Sequence, residues 1–316
     1  MRPVLVMTIA AVVGLGGATV QAQSWQMPAD SQRCPSKWGA GDQRGSGNWM
    51  KPETVLRAAK LIRTGEVFEL GAVLSPDPNE LFFNFGRSYN IYTKPSLPVP
   101  NVRTSNEELI VTELGQIGTQ FDGFSHQMWG DSFYNCFQFG DQFTRSGFKN
   151  LGVEKVGTLM TRGVLIDVAA WKGVAVLPES YAITTDDLQQ ALAREKLTLQ
   201  PGDAVLIHTG WGGLIGKDNA RYVRTSPGIS VAAGEWLVKQ DPMIVAADNC
   251  CIEPRTTQPS LNEIHAMMLI QHGIHLLENM KLEGLAAARA YEFAFVVQPL
   301  KLRGGTGSTV APVAIR

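Results

Sequence analysis

A chain of 316 residues, 44% of them hydrophobic, is long enough to bury one large core or two closely joined ones. Charged residues make up 18% and nearly cancel, to a net charge of -1 at pH 7. That balance gives no electrostatic footprint for nucleic acid or for an anionic membrane, and it leaves a small molecule or another protein as the default partner.

Arg2, the uncharged run from Val4 to Val20 and the small-residue site Val20-Gln21-Ala22 have the pattern of a secretory signal peptide over residues 1–22. Gly14, Gly16, Gly17 and Thr19 interrupt the run, which is also short for a membrane span of about 20 residues. The expectation is cleavage after Ala22 and a periplasmic or secreted protein, with no membrane attachment once the signal is gone. Export permits disulfides. Cys34, Cys136, Cys250 and Cys251 show no CxxC spacing, however, and the adjacent pair bridges only with strain, so buried free thiols and bridges both stay open.

The mature start, through Gly39-Ala40-Gly41-Asp42 and Gly45-Ser46-Gly47-Asn48, is polar and rich in turn formers, which predicts an extended arm. Lys51-Pro52-Glu53 opens a helix, because proline suits the first helical position; Val55, Leu56, Ala59, Leu61 and Ile62 carry an apolar stripe to a stop at Gly65. Residues 67–74 and 108–114 read as strands. Between them, residues 75–101 form a long loop holding Phe82, Phe83, Phe85, Tyr89 and Tyr92, either a flap over the core or a substrate lid. Residues 159–169 read as a strand, Thr185 as the cap of a helix through Glu195, and residues 203–209 as a strand ending at Gly210-Trp211-Gly212-Gly213. Ser230 caps a helix to Gln240, residues 243–247 form a buried strand, and Asn262 caps a helix to about Gln271 that Gly273 ends. Residues 274–278 and 291–298 complete the strands. No fixed-period repeat or long linker appears, so residues 23–316 read as one domain with an N-terminal arm. Strands outnumber a clean βαβ alternation, which predicts an α/β fold of mixed sheet or barrel with flanking helices rather than a doubly wound sheet.

Two segments carry chemistry. In Gln116-Ile117-Gly118-Thr119-Gln120-Phe121-Asp122-Gly123-Phe124-Ser125-His126 the polar residues Gln116, Gln120, Asp122 and His126 all fall at even numbers, so an extended backbone projects them from one face. Asp122 and His126 are suited to binding a metal or to acid-base work, and a polar surface strand has the same pattern. The second segment, residues 262–278, holds His265, His272, His275 and Glu278. A helix start at Asn262 puts His265 on its first turns, while Glu278 shares a strand face with Ile274 and Leu276 and His275 points the other way. Histidine and carboxylate from distant segments are a common donor set for zinc, manganese and similar ions. His272, beside Gly273, reads as a capping or surface residue and His275 as a packed one.

On these residues the chain resembles the putative cyclase family, which includes bacterial kynurenine formamidase and isatin hydrolase and is marked by His-x-Gly-Thr-His-x-Asp-x-Pro-x-His. Gly118, Thr119, Asp122 and His126 match the mark; Gln116 and Gln120 stand at its first two histidines and Phe124 at its proline. A branch with Gly-Thr-Gln-Phe-Asp-Gly and a following Phe-Tyr-Asn, here Phe133-Tyr134-Asn135, is closer, although Gln116 departs even from it. Further landmarks are Trp38 to Gln43, Gly202 to Trp211 and Gly304 to Ser308, so the resemblance covers roughly Trp38 to Arg316. It implies a swivelling β/β/α cyclase-like fold and one or two divalent ions, zinc, manganese or magnesium. Asp122, His265 and Glu278 are the implied ligands, with Gln120 and Gln116 at the remaining positions, and His126 is the implied acid-base residue. An amide oxygen is a harder and weaker donor than imidazole, so the first metal should bind less tightly and manganese or magnesium should be favoured over zinc.

The resemblance further implies hydrolysis of a carbon-nitrogen bond in a small aromatic or cyclic amide, in the manner of an arylformamidase, by a homodimer or homotetramer. Phe82, Phe83, Trp129 and Phe133 are candidates to line a pocket for a flat ring, with Phe85 and Tyr89 nearby in sequence. Opening of a lactone or cyclic imide uses the same step. The competing expectation is a noncatalytic exported binder with a degraded metal site, supported by the two missing imidazoles and opposed by the retention of Asp122, His126, His265 and Glu278. A Ser-His-Asp hydrolase is disfavoured because no Gly-x-Ser-x-Gly elbow occurs.

Overall fold

The computed structural model describes residues 25–77, 80, 86–95, 105–258 and 261–316. The signal-peptide reading of residues 1–22 and the aromatics Phe82, Phe83 and Phe85 lie outside the described residues. The main sheet has nine strands: β1 (Val67–Glu69), β2 (Gln120–Asp122), β3 (Leu159–Asp167), β4 (Ala204–His208), β5 (Ile244–Ala247), β6 (His275–Glu278), β7 (Glu292–Val297), β8 (Gly307–Thr309) and β9 (Val313–Ile315). Their order across the sheet is β1-β9-β7-β3-β4-β5-β6-β2-β8. The centre, β3 to β6, runs parallel. Antiparallel pairs extend it on both sides. The result is a large curled mixed sheet with flanking helices, the α/β architecture that the strand count predicts.

Parallel strands covered on both faces need apolar side chains at successive positions. Val164-Leu165-Ile166, Val205-Leu206-Ile207 and Ile244-Val245-Ala246 supply them, none more than 1% exposed. One parity of these residues, with Leu276, packs against Leu188, Leu192, Ala233 and Leu237 of the helices Thr185–Glu195 and Val231–Lys239. The other parity, with Leu277, packs against Phe121, Phe293 and Phe295. Full burial of one such side chain contributes about 1.5–3 kcal/mol, so this double coverage fixes the register of the centre.

Local signals place most helix starts. Pro52 opens Pro52–Ala59, and Ser230 caps Val231–Lys239 by accepting from the Ala233 amide at 3.3 Å. The cap of Thr185–Glu195 is Thr184 rather than Thr185, in a capping box with Asp187: its hydroxyl accepts from the Asp187 amide at 3.1 Å and its own amide donates to Asp187 at 3.0 Å. Asn262 adopts φ 50° and makes no side-chain cap. The short helix Glu263–His265 passes into the π-helix Ala266–His272, which Gly273 ends at φ 60°.

Inside the stretch expected to be loop, Tyr89–Pro95 pairs antiparallel with Asn106–Thr112 as a hairpin. The arm before Pro52–Ala59 is not extended throughout, since it holds the short helix Asp30–Arg33 and the 3-10 helix Gly45–Trp49, and it is held by Phe133-Tyr134-Asn135-Cys136. Tyr134 donates its hydroxyl to Asp42 at 2.7 Å, and the Asn135 amide donates to the carbonyls of Gly39, Ala40 and Asp42 at 2.8, 3.2 and 3.1 Å. Cys34 and Cys136 form a disulfide across 102 residues, which resolves the open question for two of the four cysteines. Cys250 and Cys251 are free.

Candidate metal centre

Three elements build the centre. In the β6–β2 ladder Leu276 lies opposite Asp122 and Glu278 opposite Gln120. Phe121 and Leu277 face the cluster on one side of the sheet. Strand alternation therefore turns Gln120, Asp122 and Glu278 to the opposite side, which Leu276 shares with the helix residues Ile264, Ala266 and Met268. His265 comes from that helix. Its Nε2 lies 3.0 Å from Glu278 Oε1 and 3.5 Å from Asp122 Oδ2. One donor atom from each of Asp122, His265 and Glu278 lies within 4.8 Å of the others, and all three residues are buried. One ion bonded to each at about 2.0–2.2 Å would draw them together only slightly.

The even-numbered face expected from residues 116 to 126 is realised over only three residues, Gln120–Asp122, because the chain turns at both ends. Gly118 adopts φ +67°, and a Cβ there would meet Leu74 Cδ2 at 2.4 Å. Gly123 sits so close to the Thr306 carbonyl that a Cβ would come within 2.7 Å of it. The turns return Gln116 and His126 to the site all the same. Gln116 Nε2 donates to Asp122 Oδ1 at 3.1 Å, and Gln120 Nε2 donates to Glu278 Oε2 at 2.8 Å and reaches Gln116 Oε1 at 3.4 Å. Both amides thus hold the second oxygens of the two carboxylates. His126 closes a turn onto the Gly123 carbonyl, is half-buried, and has its ring centroid 6.5 Å from that of His265.

The residues present fit a cation. Gln120 Oε1 is buried without a hydrogen-bond partner, and Asp122 Oδ2 and Glu278 Oε1 are buried with His265 Nε2 as their shared neighbour, an unfavourable crowding of oxygens that a metal ion would relieve. Charge points the same way. Burial and the charge of Asp122 push Glu278 up to about 8. For His265, burial acts to lower the pKa, but Glu253, Asp122 and Glu278 outweigh it and hold it well above the ordinary range. Burial acts to raise Asp122, and His126, His265 and Gln116 together bring it below its usual value. The cluster therefore holds protons where a divalent cation would replace them. His126 is lowered by burial, opposed by Asp122, so its imidazole is neutral at pH 7.

Glu253 is a residue of this cluster that sequence patterning does not mark. Both of its carboxylate oxygens lie 3.0 Å from His265 Nδ1. A carboxylate on one ring nitrogen fixes the tautomer and turns the other toward the ligand position, as at many histidine-metal sites. No spacing rule marks it, because it arrives from the loop after β5, 12 residues before His265.

The proposed pocket aromatics are placed differently from one another. Trp129 is half-buried edge-on to Trp25, ring centroids 5.9 Å apart. Phe133 is 2% exposed, with its ring packed against Phe139 and Phe148. His275 is buried, stacks on Phe124 at 4.5 Å and has Nε2 3.0 Å from the Arg44 carbonyl oxygen, the packed role expected for it. His272 precedes the helix-ending Gly273, and burial lowers its pKa to about 4.

Residues 58–254 match the family model described as putative cyclase. The chain belongs to the putative cyclase family. The crystal structure of a novel cyclase is 32% identical, with a TM-score of 0.79 over 89% of this chain and 98% of that one. Among more distant members of the fold, isatin hydrolase A from Ralstonia solanacearum is 20% identical, with a TM-score of 0.58 over 79% of this chain and 92% of its own. Isatin hydrolase A from Labrenzia aggregata, bound to benzyl benzoate, is 17% identical, with a TM-score of 0.59 over 81% and 94%. None of the curated proteins compared with this cyclase-family chain matches it.

Proposed function

We propose that the protein is a metal-dependent hydrolase of a carbon-nitrogen bond in a small aromatic or cyclic amide. The observation that carries this reading is the buried convergence of Asp122, His265 and Glu278, with the unpartnered Gln120 Oε1 beside them. Asp122 Oδ2, Glu278 Oε1 and His265 Nε2 would hold the cation, with Gln120 Oε1 as a neutral fourth oxygen. When bound, a divalent ion supplies Lewis acidity, lowering the pKa of water and polarising a carbonyl. One imidazole among oxygens favours manganese or magnesium over zinc.

The chain's own groups do the rest. Glu253 orients His265, while Gln116 and Gln120 fix the carboxylates so that one oxygen of each remains for the ion. His126, neutral at pH 7, takes a proton from the attacking water and returns it to the departing nitrogen. The isatin hydrolases that share the fold support hydrolysis as the class of reaction. The disulfide Cys34–Cys136 supports an exported protein.

The test is turnover of an aryl formamide and of a cyclic amide by the purified protein, before chelation, after chelation and after return of manganese, magnesium or zinc. Hydrolysis that is lost and restored supports the proposal. Metal-replete protein that turns over neither substrate favours the ligand-binding alternative.

A further inference from the structure

Cys250 and Cys251 take no part in the chemistry above, yet they sit in the turn that delivers Glu253 to His265. Their sulfurs are 2.7 Å apart, against about 2.05 Å for a disulfide bond. The residues on either side are pinned. Asn249 Oδ1 accepts from the Ile252 amide at 3.0 Å, the Ile229 amide donates to the Ile252 carbonyl at 2.9 Å, and Ser226 and Arg255 exchange backbone hydrogen bonds at 3.1 and 2.9 Å. Gly228 lies against the Glu253 backbone, where a Cβ would come within 2.2 Å of its carbonyl carbon. Ile252, between the pair and Glu253, is held at φ 59°. Cys250 is buried against Trp211 and Tyr222, whereas Cys251 is half-buried and lies within electrostatic range of Glu253 and Glu278. The same chain carries one formed disulfide, Cys34–Cys136.

We propose that Cys250 and Cys251 close to a vicinal disulfide by exchange with a disulfide oxidant, and that closure resets the turn that holds Glu253 on His265. One thiolate of the pair attacks one sulfur of the oxidant and releases the first thiolate. The other cysteine then attacks the sulfur so bound and releases the second. Two cysteine thiols are oxidised, one oxidant disulfide is reduced, and the two protons end on the released thiols. An eight-membered ring constrains the Cys250-Cys251 peptide, and because the Glu253 amide donates to the Cys251 carbonyl at 2.5 Å, a reset of that peptide is passed to Glu253. The effect on the ion rests on the reading of Asp122, His265 and Glu278 as a metal site; closure itself does not.

The probe is glutathione disulfide added to the full native chain, followed by maleimide labelling, unfolding, digestion and mass measurement of the peptide carrying both cysteines. The expected product carries no label and is two hydrogens lighter than the dithiol, and dithiothreitol restores two labelled cysteines. Two labels before and after glutathione disulfide, or a glutathione adduct that stays on Cys251, overturns closure. Manganese affinity, read by competition with a fluorescent chelator, should fall about tenfold or more in the oxidised form. The Cys250→Ser/Cys251→Ser double variant keeps Cys34–Cys136 and should show no redox response. Equal manganese affinity in both redox states overturns the coupling to Glu253. If neither state binds manganese, the metal-site reading fails and the coupling with it, while the peptide mass still decides closure.

Discussion

Gln120 and Glu278 face each other across the β2–β6 ladder, and the Gln120 amide donates to Glu278 Oε2 at 2.8 Å. A residue at a position where the family mark has a histidine thus holds the Glu278 carboxylate and leaves its own Oε1 unpartnered. Gln120→His should replace a neutral oxygen with an imidazole and raise zinc affinity about tenfold or more, with a smaller effect on manganese. Isothermal titration with both ions checks this. Unchanged zinc affinity would mean that residue 120 does not reach the ion.

Glu253→Gln keeps the shape beside His265 Nδ1 and removes the charge. Metal affinity should fall by about 10- to 100-fold, the usual cost of losing such a partner. The same variant should lower the His265 pKa, because Glu253 is the foremost group raising it against burial. Histidine proton shifts followed by NMR across pH, in metal-free protein, read the second effect separately.

Metal binding should depend steeply on pH. Glu278 is pushed up to about 8 by burial and Asp122, and His265 is held well above its ordinary range. Both groups keep a proton at neutral pH that an incoming cation must displace, so affinity rises with pH. The slope should be up to about tenfold per pH unit for each proton released, and Glu278's share levels off above about pH 8. Titration in two buffers of different ionisation enthalpy counts the protons. A binding constant flat between pH 6 and 8 would contradict the charge inventory.

His126→Ala and Asp122→Ala should separate chemistry from binding. Loss of the acid-base residue should lower turnover by about a hundred- to ten-thousandfold while the ion stays bound. Loss of Asp122 removes both. Single-turnover hydrolysis beside metal stoichiometry distinguishes them; parental turnover in His126→Ala would make His126 a structural residue of its turn.

Much of this was legible in the sequence for identifiable reasons. The central strands are apolar at successive positions, and Pro52 and Ser230 are local start signals, so the elements they define appear close to where they are expected. The even spacing of Gln116, Gln120, Asp122 and His126 pointed to one cluster, and these residues do gather, although two of them arrive through turns at Gly118 and Gly123 instead of along a strand. Glu253 was not legible, because it reaches His265 through a tertiary crossing that no periodicity encodes. Phe133 shows the same limit of pattern: an aromatic beside a motif suits a pocket or a core equally well, and its packing against Phe148 comes from a tertiary contact.

Asp122, His265 and Glu278 are proposed to hold a divalent ion. Elemental analysis of metal per chain, on the parent and on His265→Ala after equal exposure to manganese, magnesium and zinc and exhaustive dialysis, tests it most directly. At least one ion should be retained per parent chain and none in the variant. A parent chain that emerges metal-free, or a variant that retains as much as the parent, would contradict it.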